Sequence, residues 1–127
     1  MFDLYKDPQT LFVISSDFCH WGKRFRFTYY DEAYNEVWKS TEHLDKMALE
    51  IIKDLNAKKL DEYFKKYKNT ICGRNSISVL LCMIEQYKEE FKEKEVMFDC
   101  AGYTQSNKVK DMEGSSVSYA AAVNYVG

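Results

Sequence analysis

Leu11-Phe12-Val13-Ile14 is a continuous apolar run that breaks off at Ser15-Ser16-Asp17. Such a run marks a strand buried on both faces, as in a parallel sheet covered by helices. The polar residues that follow stand where open α/β sheets build their sites, beyond the carboxyl end of a strand. Further on, Phe25, Phe27 and Tyr29 alternate with Arg24, Arg26 and Thr28, which predicts an extended, half-exposed segment. Val37-Trp38 is expected to pair with it across the turn at 31–35.

Three helices are expected next. Ser40 or Thr41 suits an N-cap, with Glu42 and Asp45 in the first turn against the macrodipole. Leu44, Met47, Ala48, Ile51, Ile52 and Leu55 then form a one-sided apolar stripe. Leu60, Tyr63, Phe64 and Tyr67 repeat the pattern in a shorter helix. The third helix is expected from Asn75 or Ser76 to Phe91, with Ile77, Leu80, Leu81 and Ile84 inward and Val79, Cys82 and Met83 widening the buried face. Val96–Tyr103 and the alternation of Val117, Tyr119, Ala121, Val123 and Tyr125 predict two closing strands. The polar stretch 104–116 between them is long enough to be functional or mobile.

The whole is an α/β chain, a sheet with flanking helices. Its 127 residues suit one domain. Ten Tyr, eight Phe and two Trp give it far more to bury than a disordered tail carries. A net charge of −2 leaves no basic field for a phosphate backbone, so nucleic acid is not an expected partner. No apolar stretch is long enough for a membrane span. Met1-Phe2-Asp3-Leu4 lacks the basic start and apolar block of a leader. Cys19, Cys72, Cys82 and Cys100 form no CxxC pair, and reduced thiols in a cytoplasmic protein are the expectation.

Two segments could carry chemistry. In Ser15–Gly22, Asp17 and His20 are a carboxylate and an imidazole close enough in a turning loop for one to orient the other, as a general base or a metal site requires. The bland alternative is a loop histidine bonded for structure. In Asn69-Thr70-Ile71-Cys72-Gly73-Arg74, Cys72 precedes a helix start and lies two residues from Arg74, both of which favour the thiolate that attacks electrophiles and binds soft metals. The alternative for Cys72 is mere packing. His43 reads as a surface or capping residue in a first turn; Cys82 and Cys100 read as core.

The Leu11–Gly22 block with Arg24-Phe25-Arg26, together with Glu42–Met47, Asn69–Arg74 and Ser115–Ala121, resembles the Memo family (mediator of ErbB2-driven cell motility). The resemblance covers nearly all of this chain but well under the whole family domain, so it implies the C-terminal portion of a single Memo-like domain, 1–127 here. It implies a fold similar to class III extradiol (LigB-type) dioxygenases, in which two His and a Glu hold non-haem iron(II). In Memo a Cys replaces the carboxylate, at the position matching Cys72, and the pocket Asp and His match Asp17 and His20. The other pocket histidines belong to an N-terminal portion that has no counterpart here. One departure lies after Arg74, where Asn75-Ser76 stand in place of the family's His-Pro.

What the resemblance implies about function takes two forms. One is a metal-dependent oxidoreductase binding iron or copper, with Cys72 and His20 as ligands and Asp17, His20 and Cys72 as the chemical groups. The other is a cytoplasmic signalling adaptor that binds phosphotyrosine peptides of a receptor tyrosine kinase in cell motility, without turnover. A third expectation is that the isolated chain binds metal weakly and is inactive.

Overall fold

The computed structural model describes residues 1–127. In chain order the elements are α1 (Phe2–Lys6), β1 (His20–Trp21), a 3₁₀ turn at Lys23–Phe25, α2 (Val37–Lys53), α3 (Ala57–Tyr67), α4 (Arg74–Glu90), β2 (Val96–Gln105) and β3 (Ser116–Val126). It is an α/β arrangement with one small sheet of order β1-β3-β2, flanked by helices. No helix is long and apolar enough to cross a membrane.

The sheet is antiparallel throughout, which corrects the parallel expectation. The strand is not Leu11–Ile14 but the stretch behind it. His20 and Trp21 pair with Val117 and Ser116. The pairing extends back through Phe18 N–H to the Ser118 carbonyl (2.8 Å) and Ser118 N–H to the Cys19 carbonyl (2.9 Å). A strand buried on both faces needs neighbours on both sides. The β3 edge is taken by Phe18–Trp21, so Leu11–Ile14 runs without a ladder, and Leu11 and Val13 are 85% and 79% exposed. All four residues border an apolar cleft of about 730 Å³ with Leu49, Ile52, Ile77 and Phe98, and Phe12 and Ile14 are the half-buried ones.

Unpaired backbone beside exposed apolar side chains favours association. The chain is therefore expected to self-associate and to bind the dye ANS. Leu11→Lys with Val13→Lys should shift its sedimentation towards monomer. An unchanged sedimentation profile would show that this segment is not the sticky surface.

Residues 23–30 also depart from expectation. Instead of an alternating strand, the chain makes the 3₁₀ turn, then Arg26 takes a left-handed conformation (φ 56°), and a single bridge joins Gly22 to Phe27. Burial explains it: closing this loop brings Phe27 into the core beside fully buried Trp21, whose indole N–H donates to the Tyr29 carbonyl at 2.7 Å. Val37 accordingly opens α2 rather than pairing as a strand.

Helix α2 starts three residues before the expected cap, so Glu42, His43 and Asp45 lie beyond its first turn. Its stripe is as expected: Leu44, Ala48 and Ile52 are buried, and Met47 and Ile51 pack against them. Leu55 at φ 56° reverses the chain into α3, which Asn56 caps by accepting the Lys59 N–H at 3.0 Å. In α4, Ile77, Leu81, Met83 and Ile84 are buried, whereas Val79 and Cys82 are exposed and the apolar face is narrower than the sequence suggested. Cys100 is exposed as well, beside the bulge at Cys100/Gly102 in the β2–β3 hairpin. The stretch joining β2 to β3 is tied down at both ends of its span. Val109 is buried and its carbonyl accepts the Trp38 N–H at 3.0 Å, and Glu113 pairs with Lys23 at 2.7 Å.

Candidate functional site

Two loops lie side by side, antiparallel, and are joined by three rungs. Gly73 N–H donates to Ser16 Oγ at 2.9 Å, and Asp17 N–H donates to Cys72 Sγ at 3.3 Å. At the third rung His20 N–H donates to Thr70 Oγ1 at 2.7 Å, and the same hydroxyl donates back to the His20 carbonyl at 2.8 Å. Asp17, His20 and Cys72 are therefore neighbours in one loop pair. Gly73 is required there: a Cβ on it would meet Ser16 Cβ at 2.4 Å.

The chemistry of each group follows from its contacts. Cys72 is exposed and unoxidised, and its sulfur accepts a main-chain N–H. The His20 ring nitrogen Nδ1 lies 3.1 Å from the Thr70 carbonyl. A carbonyl can only accept, so Nδ1 carries the proton and Nε2 of the neutral ring keeps its lone pair. Phe25 packs edge-on against the ring at 5.2 Å and fixes its plane. That is the usual preparation of a histidine for ligation or proton abstraction. The expected Asp17–His20 bond is not formed: the imidazole's partner is Thr70, and Asp17 contributes its main-chain N–H and carbonyl to Cys72.

Cys72 and His20 do not line the main cavity, the large apolar cleft, which Ser16 borders. Nor do three His, Cys, Asp or Glu side chains converge anywhere in the chain.

Beneath the loops lies a buried network that residue types alone did not disclose. Asp45, fully buried on α2, accepts the Cys19 N–H (3.2 Å), Asn69 Nδ2 (2.9 Å) and the Tyr103 hydroxyl (2.6 Å). Asn69 Nδ2 also donates to the Tyr63 hydroxyl (3.0 Å), which donates to the Leu44 carbonyl (2.6 Å). Gln105 Nε2 joins the Tyr103 hydroxyl to the Trp38 carbonyl. One carboxylate thus ties both loops to α2 and the hairpin. Burial raises the Asp45 carboxyl above its ordinary range, opposed by its hydrogen bonds from Tyr103, Asn69, Ser118 and Cys19. Burial, reinforced by the Asp45 charge, also pushes the Cys19 thiol and the Tyr103 hydroxyl well up. Cys19, wholly buried, is a packing residue. His43 is exposed, its ring 4.9 Å from Tyr34 and remote in sequence from either loop. The signal for Asp45 was present but misplaced: it sits on the apolar stripe one position after Leu44, where an unpaired carboxylate would be costly.

Comparison with known proteins agrees with the block pattern. A family model described as "Memo-like protein" matches residues 1–123. "Protein MEMO1" of Homo sapiens is 50% identical over 115 residues, covering 91% of this chain and 38% of that protein. The protein of the same name from Danio rerio gives the same identity and coverage. "Protein memo-1 homolog" of Caenorhabditis elegans is 43% identical over 122 residues, covering 95% of this chain and 35% of its own length. The chain therefore spans less than two fifths of the curated relatives it matches.

Proposed function

The chain belongs to the Memo-like protein family, and from that premise we propose that its paired loops form one wall of a non-haem-dioxygenase-type pocket that binds iron or copper. The observation that carries this reading is the Asp17 N–H to Cys72 Sγ contact at 3.3 Å, which sets an exposed sulfur in the same loop pair as an oriented imidazole.

The donor set fits such a metal. Thiolate and imidazole suit copper, iron(II) or zinc better than magnesium or calcium. Cys72 and His20 would be the donors, with Thr70 holding the histidine tautomer. A bound iron or copper ion would supply one-electron redox chemistry. The chain's own residues do the rest. The Asp17 N–H stabilises negative charge on the Cys72 sulfur, Nε2 of His20 binds metal or takes a proton, and Ser16 fixes the Gly73 turn. Two donors fall short of the three or four that tight binding requires. The remaining donors in this reading come from polypeptide of the kind the relatives carry beyond the matched stretch, so the isolated chain binds metal weakly and does not turn over.

In the cell this reading makes the protein a cytoplasmic effector of receptor tyrosine kinase signalling in cell motility. The second reading, a phosphotyrosine-peptide adaptor without catalysis, rests on the family resemblance alone. Elemental analysis after anaerobic loading with iron(II) or copper(I) separates the two. Cys72→Ala is expected to lower metal affinity about tenfold or more, comparable with the loss of a coordination-sphere partner. Equal metal content in native and variant protein would remove Cys72 from the ligand set and leave the adaptor reading.

A further inference from the structure

Of the ten tyrosines in the chain, five donate their hydroxyl proton to another residue. For three of them the acceptor is a neutral amide oxygen: Asn124 Oδ1 for Tyr5, the Tyr34 carbonyl for Tyr30 and the Leu44 carbonyl for Tyr63. Such an oxygen accepts a hydrogen bond but is too weak a base to take the proton. Tyr103 and Tyr125 donate instead to carboxylates, Asp45 at 2.6 Å and Asp99 at 2.8 Å. Tyr125 and Asp99 are both exposed, so water competes for that proton. Asp45 is fully buried and Tyr103 half-buried.

The two oxygens of Asp45 have separate partners. Oδ1 accepts the Cys19 N–H and Asn69 Nδ2, which clamp the carboxylate, and Oδ2 meets the Tyr103 hydroxyl. No cation neutralises Asp45; neighbouring Lys46 pairs with Glu42 at 3.0 Å. Gln105 Nε2 donates to the tyrosine oxygen at 3.1 Å, and Ser118 Oγ lies 3.1 Å from it, so that oxygen stays held if its proton leaves. In the resting state burial and the Asp45 charge keep the proton on Tyr103. Loss of an electron reverses the order, because an oxidised phenol is a far stronger acid than a carboxylic acid. A base already in place then takes the proton with no rearrangement.

We propose that Tyr103 is a redox-active tyrosine, an internal electron donor whose proton acceptor is Asp45. The co-reactant is an outer-sphere one-electron oxidant, by class a tripositive metal complex. It removes one electron from the Tyr103 ring and becomes dipositive. The Tyr103 O–H bond breaks, an O–H bond forms at Asp45 Oδ2, and a neutral tyrosyl radical faces a carboxylic acid. Reduction returns one electron and one proton. The step uses neither Cys72 nor His20 and does not depend on the metal reading of their loops.

The test is flash oxidation of the 127-residue chain by photogenerated tris(bipyridine)ruthenium(III), above neutrality to favour the Asp45 carboxylate. Transient absorption follows the ruthenium, and electron paramagnetic resonance identifies the radical. Native protein and Tyr125→Phe are expected to share a fast phase with a tyrosyl signal, slower in heavy water. Tyr103→Phe should lose that phase, leaving only oxidation of the other aromatic residues. Asp45→Asn keeps the shape but not the base, and should slow the phase about a hundredfold, the lower range for a positioned proton acceptor. Where that variant fails to fold, the heavy-water effect on the native phase decides alone. Native kinetics in Tyr103→Phe or in folded Asp45→Asn would overturn the proposal. So would loss of the phase in Tyr125→Phe, or a native phase indifferent to heavy water.

Discussion

Asp45→Leu is expected to cost about 3–4 kcal/mol of stability, which at roughly 4 °C per kcal/mol for a chain of this size lowers the Tm by about 12–16 °C. The substitution leaves the Cys19 N–H without a partner and strips one acceptor from Asn69 and from Tyr103. Each is buried or half-buried, so water does not replace the carboxylate cheaply. Both site loops should loosen together, because one side chain holds both. Calorimetry gives the stability; alkylation of Cys72 in a Cys82→Ser, Cys100→Ser background reports the loops. A stability loss under about 1 kcal/mol would mean that the network is not shared as described.

The same residue gives a pH dependence of definite sign. Its folded carboxyl is raised above the ordinary 3.8 by burial, so the folded state binds the proton more readily than the unfolded chain does. The stabilisation this provides is fully present below the unfolded value and is lost as pH rises through the raised one. Native protein should therefore lose stability relative to Asp45→Asn as pH is raised from about 4 towards 7, seen as converging or crossing urea midpoints. Midpoints that stay parallel would contradict the raised carboxyl.

Gly73→Ala is the second large effect. The added methyl would lie 2.4 Å from Ser16 Cβ and 2.6 Å from Ser16 Oγ, with the Ser15 carbonyl at 3.1 Å behind them. Rotation about χ1 can move Ser16 Oγ, but Ser16 Cβ cannot swing clear without moving its backbone, so the two loops must part. The cost is about 2–3 kcal/mol, the range of an overpacked contact. Separation also breaks the Asp17 N–H to Cys72 Sγ rung, so the alkylation rate of Cys72 should change by several-fold. Ser16→Gly added to Gly73→Ala removes the obstructing side chain and should recover most of the stability. Failure of that rescue would place the strain elsewhere.

How much of this was legible in the sequence depended on the range of the interactions involved. The α2 stripe was readable because a 3.6-residue period is a local property, and Leu44, Ala48 and Ile52 are buried as it required. The β2–β3 hairpin was readable for the same reason. Leu11–Ile14 was misread because an apolar run records a tendency to be covered and says nothing of which strand does the covering. Cys82 and Cys100 were misread as core because residue type was allowed to stand for burial. The Asp17–His20 pair failed on a competitor: the Thr70 carbonyl, fifty residues on, reaches the imidazole instead.

Composition, period and the four sequence blocks determined by themselves that this is a helix-flanked α/β chain and singled out the segments carrying His20 and Cys72 as the candidate site. Only the tertiary structure decided that those segments run against each other, that a buried Asp45 fastens both, and that the same carboxylate meets the Tyr103 hydroxyl. The division has a physical cause. Helix and strand preferences are set by neighbours along the chain, whereas a site is set by hydrogen bonds between segments tens of residues apart, whose pairing only the packed core selects.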